Sequence, residues 1–169
     1  KIYVDDVGAV TPTDWIENKF SDGKDDYPVI NISWYEAANF CQWAGKKLPS
    51  EKQWEKAARG ETGNEYPWGK EFHPDYANLS TKPGSRNPIT QVGSYPRGAT
   101  PLGVHDLVGN VWEWVEDDYS PYKGSTYQSK YFGGELKVLR GQSAKDIGHF
   151  SGTAYLSALK MFARSGYRE

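Results

Sequence analysis

Hydrophobic and polar positions along this chain change period often and keep any one period only briefly. Pro28-Val29-Ile30-Asn31-Ile32 reads as a short apolar strand. Ser33-Trp34-Tyr35-Glu36 follows as a capping box, with the serine capping a helix and the glutamate reaching back. A helix is predicted from there to about Ala44, with Gly45 as its stop. Trp34, Ala37, Cys41 and Ala44 share one face by their three- and four-residue spacing. Ser50-Glu51-Lys52-Gln53 is a second capping box, and its helix is predicted to run to about Arg59 and stop at Gly60. Residues 111–115 and 137–139 read as strands. Residues 1–27 carry Thr11-Pro12 and Asp22-Gly23 turn signals and read mostly as loop. Residues 61–103 read as long irregular structure, which in a compact domain usually carries function or binds ions. No repeat, low-complexity tract or linker divides the chain, so a single domain over residues 1–169 is expected.

Composition sharpens this picture. Seven Trp, twelve Tyr and six Phe, with eighteen Gly and ten Pro, predict an irregular fold held by large rings, not a helix bundle. The net charge of −2 gives no electrostatic case for a nucleic-acid partner. No apolar run approaches transmembrane length, so membrane insertion is not expected. One cysteine excludes an internal disulfide and any cysteine-rich zinc site. It leaves the compartment open, with an extracytoplasmic or cell-surface setting favoured.

The most informative stretch is Asp106-Leu107-Val108-Gly109-Asn110-Val111-Trp112-Glu113-Trp114. Two acidic side chains flank a Gly-Asn turn. Carboxylates and backbone carbonyls gathered at a tight turn suit calcium, which takes six to eight oxygen ligands. A plain turn is the alternative, with Asp106 capping its own backbone and Glu113 solvated. Trp112 and Trp114 lie one strand period apart, so they point to one face and are expected to anchor the turn in a core.

Other candidate chemistry is thin. Cys41 sits on an apolar helix face with no base nearby and reads as a buried structural thiol. His73, His105 and His149 lack any local metal-ligand spacing. Ser143, Ser151 and Ser157 have no nucleophile elbow around them. Asn31-Ile32-Ser33 and Asn78-Leu79-Ser80 match the glycosylation sequon, a pattern common by chance.

Taken in order, the motifs resemble the formylglycine-generating enzyme family, also called the sulfatase-modifying factor domain. The residues that carry the resemblance are Tyr27-Pro28-Val29-Ile30-Asn31-Ile32-Ser33-Trp34-Tyr35-Glu36-Ala37 and Cys41-Gln42-Trp43-Ala44-Gly45-Lys46-Lys47-Leu48-Pro49-Ser50-Glu51. Trp54-Glu55-Lys56-Ala57-Ala58-Arg59-Gly60, Tyr66-Pro67-Trp68-Gly69, Tyr76-Ala77-Asn78 and Val92-Gly93-Ser94-Tyr95-Pro96 follow. The Asp106–Trp114 block and Val138-Leu139-Arg140-Gly141 with Ser143 complete the pattern. The resemblance implies an α+β, C-type-lectin-like fold, loop-rich, with two short helices and small antiparallel sheets. It also implies that the family's first strands are missing before Lys1.

By the same resemblance, calcium is the expected cofactor. Its ligands would be the side chains of Asp106 and Glu113 and the carbonyls of Gly109 and Val111. A possible second metal site would start from Asn78 and Leu79. Its other half falls near residues 84–87, where no carboxylate stands. The family's oxidases carry two cysteines after an Arg-Gly-Gly-Ser strand, where they bind copper(I). Here the strand reads Arg140-Gly141-Gln142-Ser143, and Asp146 and Ser151 stand at the cysteine positions. Carboxylates and hydroxyls do not replace soft thiolates at copper(I). Gly166-Tyr167-Arg168 matches either the family's terminal strand or an earlier motif. Some relatives use the fold in iron-dependent sulfoxide synthesis, with histidine ligands from a separate helical domain.

The expectation is therefore a non-catalytic ligand- or protein-binding domain on a calcium-stabilised scaffold. The alternative is an oxidoreductase or peptide-modifying enzyme of other chemistry. A protein, peptide or small molecule is the expected partner. Asp146, His149, Phe150, Ser151, Tyr155 and Lys160, within residues 144–163, are the candidate recognition residues, because they mix rings with hydrogen-bonding groups.

Overall fold

Serine caps set two of the helices. In α2, Trp34–Trp43, the Ser33 hydroxyl accepts from Glu36 N at 3.2 Å, and the Glu36 carboxylate accepts from Ser33 N at 2.7 Å. The helix ends as Gly45 N donates to Gln42 O and Lys46 N to Cys41 O, a pairing that satisfies its last carbonyls. In α3, Glu51–Arg59, Ser50 and Gln53 form the second box. The computed structural model describes residues 1–79, 87–133 and 136–144, and the backbone of 165–168.

A shorter helix, α1, Ile2–Val7, occupies part of the stretch expected to be loop. Six residues are too few to hold a helix alone. Packing holds this one: the Tyr3 ring lies 5.5 Å from Phe40 and 5.4 Å from Trp43, and Trp43 Nε1 donates to Asp6 at 2.7 Å. Residues 28–32, expected to be a strand, are irregular. Asn31 holds φ 56, in the left-handed region, which interrupts any extended ladder.

Three strands form one antiparallel sheet in the order β1-β2-β3: Glu113–Asp118, Leu136–Arg140 and Ser165–Arg168. Glu113 pairs with Arg140 and Trp114 with Leu139, and the register then shifts before Asp118 meets Lys137. Lys137 pairs with Tyr167 and Leu139 with Ser165. Gly166-Tyr167-Arg168 thus lies on β3, antiparallel to β2.

The core lies between α3, the sheet and the long irregular stretch. It contains Trp54, Ala58, Tyr66, Ala77, Leu79, Leu107, Val108, Val115 and Val138. Tyr66 stacks on Trp68 at 5.3 Å, so rings replace regular structure as the filler. Arg140 is wholly buried in this region, a placement the apolar pattern of β2 does not announce. Its guanidinium donates to Glu51 at 2.8 Å and Glu55 at 3.0 Å, and it lies 4.8 Å over the Trp54 ring. Trp112 and Trp114 do share a face, but Val115 takes the core position between the layers. The two tryptophans are half-buried and line a cavity beside Ile30 and Ile32. The expectation that they anchor the turn in the core is corrected by this placement. The strand's pleat put them together; only the position of α3 decided which face is the core.

Candidate functional site

The turn before β1 is built from left-handed backbone. Asp106, Gly109 and Asn110 hold φ 58, 79 and 59. Gly109 is required: a Cβ there would lie 2.4 Å from Asn78 O. That closeness lets Gly109 N donate to Gly141 O at 2.8 Å and Asn110 N to Asn78 O at 3.0 Å. The Asn110 side chain is buried and bonded on both sides. Its Oδ1 accepts from Thr90 N at 3.0 Å and Asn78 Nδ2 at 3.1 Å, and its Nδ2 donates to Thr90 O at 3.1 Å. The turn is thereby pinned to three separate stretches of chain.

Asp106 does not cap its own backbone. Its Oδ2 accepts from Gly93 N at 2.7 Å. Glu113 is only part-exposed. Its carboxylate accepts a hydrogen bond from Trp54 Nε1 and lies against the α3 side of the sheet. Burial pushes the Glu113 carboxyl up to about 7, the Trp54 hydrogen bond opposes that rise, and the Asp106 carboxylate adds to it. The plain-turn alternative therefore describes neither carboxylate. The carbonyls of Leu107 and Val111 face the same place: a Cβ on Gly141 would lie 3.5 Å and 3.7 Å from them.

Two carboxylates are close enough to repel, and among the described residues neither is in an ion pair with Lys or Arg. No group of three or more His, Cys, Asp or Glu that could hold a metal occurs among the described residues.

Beside the turn lies a cavity of about 500 Å³. Ile32, Ile89, Trp112, Trp114 and Leu139 make its walls apolar, and Asn31 and Ser143 are among its polar lining residues. Trp114 Nε1 donates to Ile32 O at 3.1 Å, which fixes one wall. Gln142, next to Ser143, is buried at φ 72, a backbone that non-glycine residues seldom adopt. A mostly apolar concavity with a few convergent polar groups is the usual form of a ligand site.

The other sequence candidates fall elsewhere. His105 is exposed and lines a separate cavity with Trp54 and Glu113, while His73 stacks on Tyr76 at 4.6 Å. Cys41 is half-buried, not buried, on α2 beside Tyr3 and Phe40. Desolvation raises its thiol, and Lys46 lowers it by less. Alkylation of native Cys41 by iodoacetamide at neutral pH is expected to run slower than that of a free cysteine; equal or faster labelling would contradict this environment. Asn78 is buried at 2% exposure, which removes it as a glycan acceptor. Asp146, His149, Phe150, Ser151, Tyr155 and Lys160 lie outside the described residues, as do Ser157 and the rest of residues 145–164.

Sequence reasoning missed Trp54, Gly93, Thr90 and Arg140. Only Arg140 left a signal, as an arginine closing an apolar strand while Glu51 and Glu55 share a helix face four residues apart.

Comparison with known proteins adds a family. The model of the sulfatase-modifying factor enzyme 1-like domain matches residues 3–167. The chain is 40% identical over 129 residues to hercynine oxygenase of Mycobacterium tuberculosis, covering 70% of this chain and 30% of that protein. It is 38% identical over 126 residues to inactive C-alpha-formylglycine-generating enzyme 2 of Mus musculus, covering 70% and 38%. It thus spans about a third of the length of each of these relatives. Among solved structures, PvdO from Pseudomonas aeruginosa superposes with a TM-score of 0.67 at 23% identity, over 98% of this chain and 69% of that one.

Proposed function

The chain belongs to the family of sulfatase-modifying factor enzyme 1-like domains, and from that premise we propose that it binds a ligand on a calcium-stabilised scaffold without catalysing thiol oxidation. One observation carries this reading. The only thiol is Cys41, on α2, and the strand Arg140-Gly141-Gln142-Ser143 is followed by no cysteine. A single cysteine cannot supply the thiolate pair that copper(I) chemistry of the resembled oxidases uses. A relative named as an inactive formylglycine-generating enzyme supports a non-catalytic use of this scaffold.

Calcium would be held by the side chains of Asp106 and Glu113 and the carbonyls of Gly109 and Val111. Its role would be to offset the repulsion between the two carboxylates and to fix the turn that ends in Trp112 and Trp114. The apolar cavity beside those tryptophans is the proposed ligand site, for a protein, a peptide or a small molecule. Ser143 lines it, and the candidate recognition residues Asp146, His149, Phe150, Ser151, Tyr155 and Lys160 follow in sequence.

Incubation with a sulfatase-type cysteine peptide, copper and oxygen is expected to leave the peptide mass unchanged. A time-dependent mass loss at the peptide cysteine would overturn the non-catalytic reading. In a fragment screen by ligand-observed NMR, hits are expected to vanish in Trp114→Ala. Hits that persist in that variant would move the site away from this cavity.

The similarity to a hercynine oxygenase favours a second reading, an enzyme of different chemistry. Elemental analysis of the purified protein separates the two. Stoichiometric iron or copper supports the enzyme; calcium alone supports the binding domain.

A further inference from the structure

We propose that the corner around Asn78 and Leu79 is held by amide hydrogen bonds where a cation would otherwise sit, so that this corner is metal-independent. Asn87 is its clip. Its Nδ2 donates to Leu79 O at 2.7 Å, and its backbone N donates to Ala144 O at 3.2 Å. One residue thus ties the end of the 77–79 stretch to the chain just past β2. Asn78 works beside it. Its Nδ2 donates to Pro88 O at 2.9 Å and Asn110 Oδ1 at 3.1 Å, while its carbonyl accepts from Asn110 N at 3.0 Å.

The residues expected to start a second metal site therefore do not fit one. Calcium needs oxygen lone pairs, and six to eight of them. Here the Leu79 and Pro88 carbonyls already face N–H donors from side-chain amides. Each such donor takes one of the two lone pairs of its carbonyl and leaves fewer for a cation. The stretch between Asp75 and Asp106 adds no carboxylate of its own. From Tyr76 to His105 the sequence contains no Asp or Glu, whereas it carries Lys82, Arg86 and Arg97. Ligands drawn from this stretch alone would have to bind a divalent ion without the attraction that carboxylates supply. Asn78 and Leu79 are 2% and 4% exposed, so these groups must be satisfied from within the protein. Amides satisfy them at no net charge.

The test uses a Glu113→Gln background, which removes the calcium site proposed at Asp106–Glu113 and keeps the two questions apart. By calorimetric titration, Glu113→Gln is expected to bind no calcium. An equivalent of calcium that remains in Glu113→Gln and disappears on adding Asn78→Ala would overturn the proposal. Asn87→Asp in the same background sets a carboxylate against the Leu79 carbonyl. It is expected to gain one calcium, to melt lower in EGTA and to recover when calcium is added. A folded Asn87→Asp variant with no calcium response would overturn the claim that an amide stands in a cation's place. If Asn87→Asp does not fold, Asn87→Ala carries the test. Its melting point is expected to drop equally in calcium and in EGTA, and a drop seen in EGTA alone would overturn the proposal. A wild-type protein that binds no calcium at all would sink the Asp106–Glu113 reading and agree with this one.

Discussion

Arg140→Ala is expected to destabilise the fold by about 3–5 kcal/mol, because it strips the partner from buried carboxylates. Arg140 is wholly buried and Glu51 is 5% exposed, so Glu51 could not turn to water. The Tyr122 hydroxyl donates to Glu51 at 2.9 Å and cannot neutralise it. Glu55 would keep Arg59, its i,i+4 partner at 2.7 Å. The loss should therefore come mainly through Glu51. Urea unfolding measures it. Arg140→Ala combined with Glu51→Gln is expected to recover part of the loss, since the stranded charge is gone. A single variant within 1 kcal/mol of wild type, as an order of magnitude, would show that the ion group contributes little. Arg140 also lies over Trp54, which holds Glu113, so the same variant is expected to weaken calcium binding.

Chelation is the second large effect. Calcium at about 100 times its dissociation constant stabilises a folded state by about 2.7 kcal/mol. For a chain of this size that corresponds to a melting shift of roughly 5–10 °C. EGTA is expected to lower the wild-type melting temperature by that amount. Glu113→Ala and Asp106→Asn are expected to melt low in both calcium and EGTA. The sign follows from the site: without a cation, the part-buried Glu113 stands near a second carboxylate and its ionised form is disfavoured. Scanning calorimetry with and without EGTA decides the matter. An unchanged wild-type curve would remove calcium from the scaffold and leave Glu113 as a partner of Trp54 alone.

Much of the site's chemistry was legible before any coordinates. The two capping boxes are local: Ser33 with Glu36 and Ser50 with Gln53 sit three residues apart, and neither needs a distant partner. The turn at Gly109-Asn110 was legible for the same reason, since left-handed backbone selects those residue types. The abundance of rings with Gly and Pro pointed to irregular structure, and stacked aromatics such as Tyr66 and Trp68 fill it. The missing thiol pair is a fact of sequence alone.

What depended on contacts far apart in the chain was not legible. Residues 2–7 become helical because Tyr3 meets Phe40 and Trp43, some forty residues on. Residues 28–32 are apolar enough for a strand, yet Asn31 turns the backbone so that Ile32 O can meet Trp114 Nε1. Periodicity placed Trp112 and Trp114 on one face, but only the packing of α3 on β1 made Val115 the core residue and left the tryptophans to the cavity. The burial of Arg140, the clip made by Asn87 and the hydrogen bond from Trp54 to Glu113 belong to the same class. Local sequence determined the caps and the turn, because those follow from backbone preference and side-chain chemistry. The tertiary structure alone decided which charges lose water and which carbonyls meet amides, because burial is a property of neighbours that are remote in the chain.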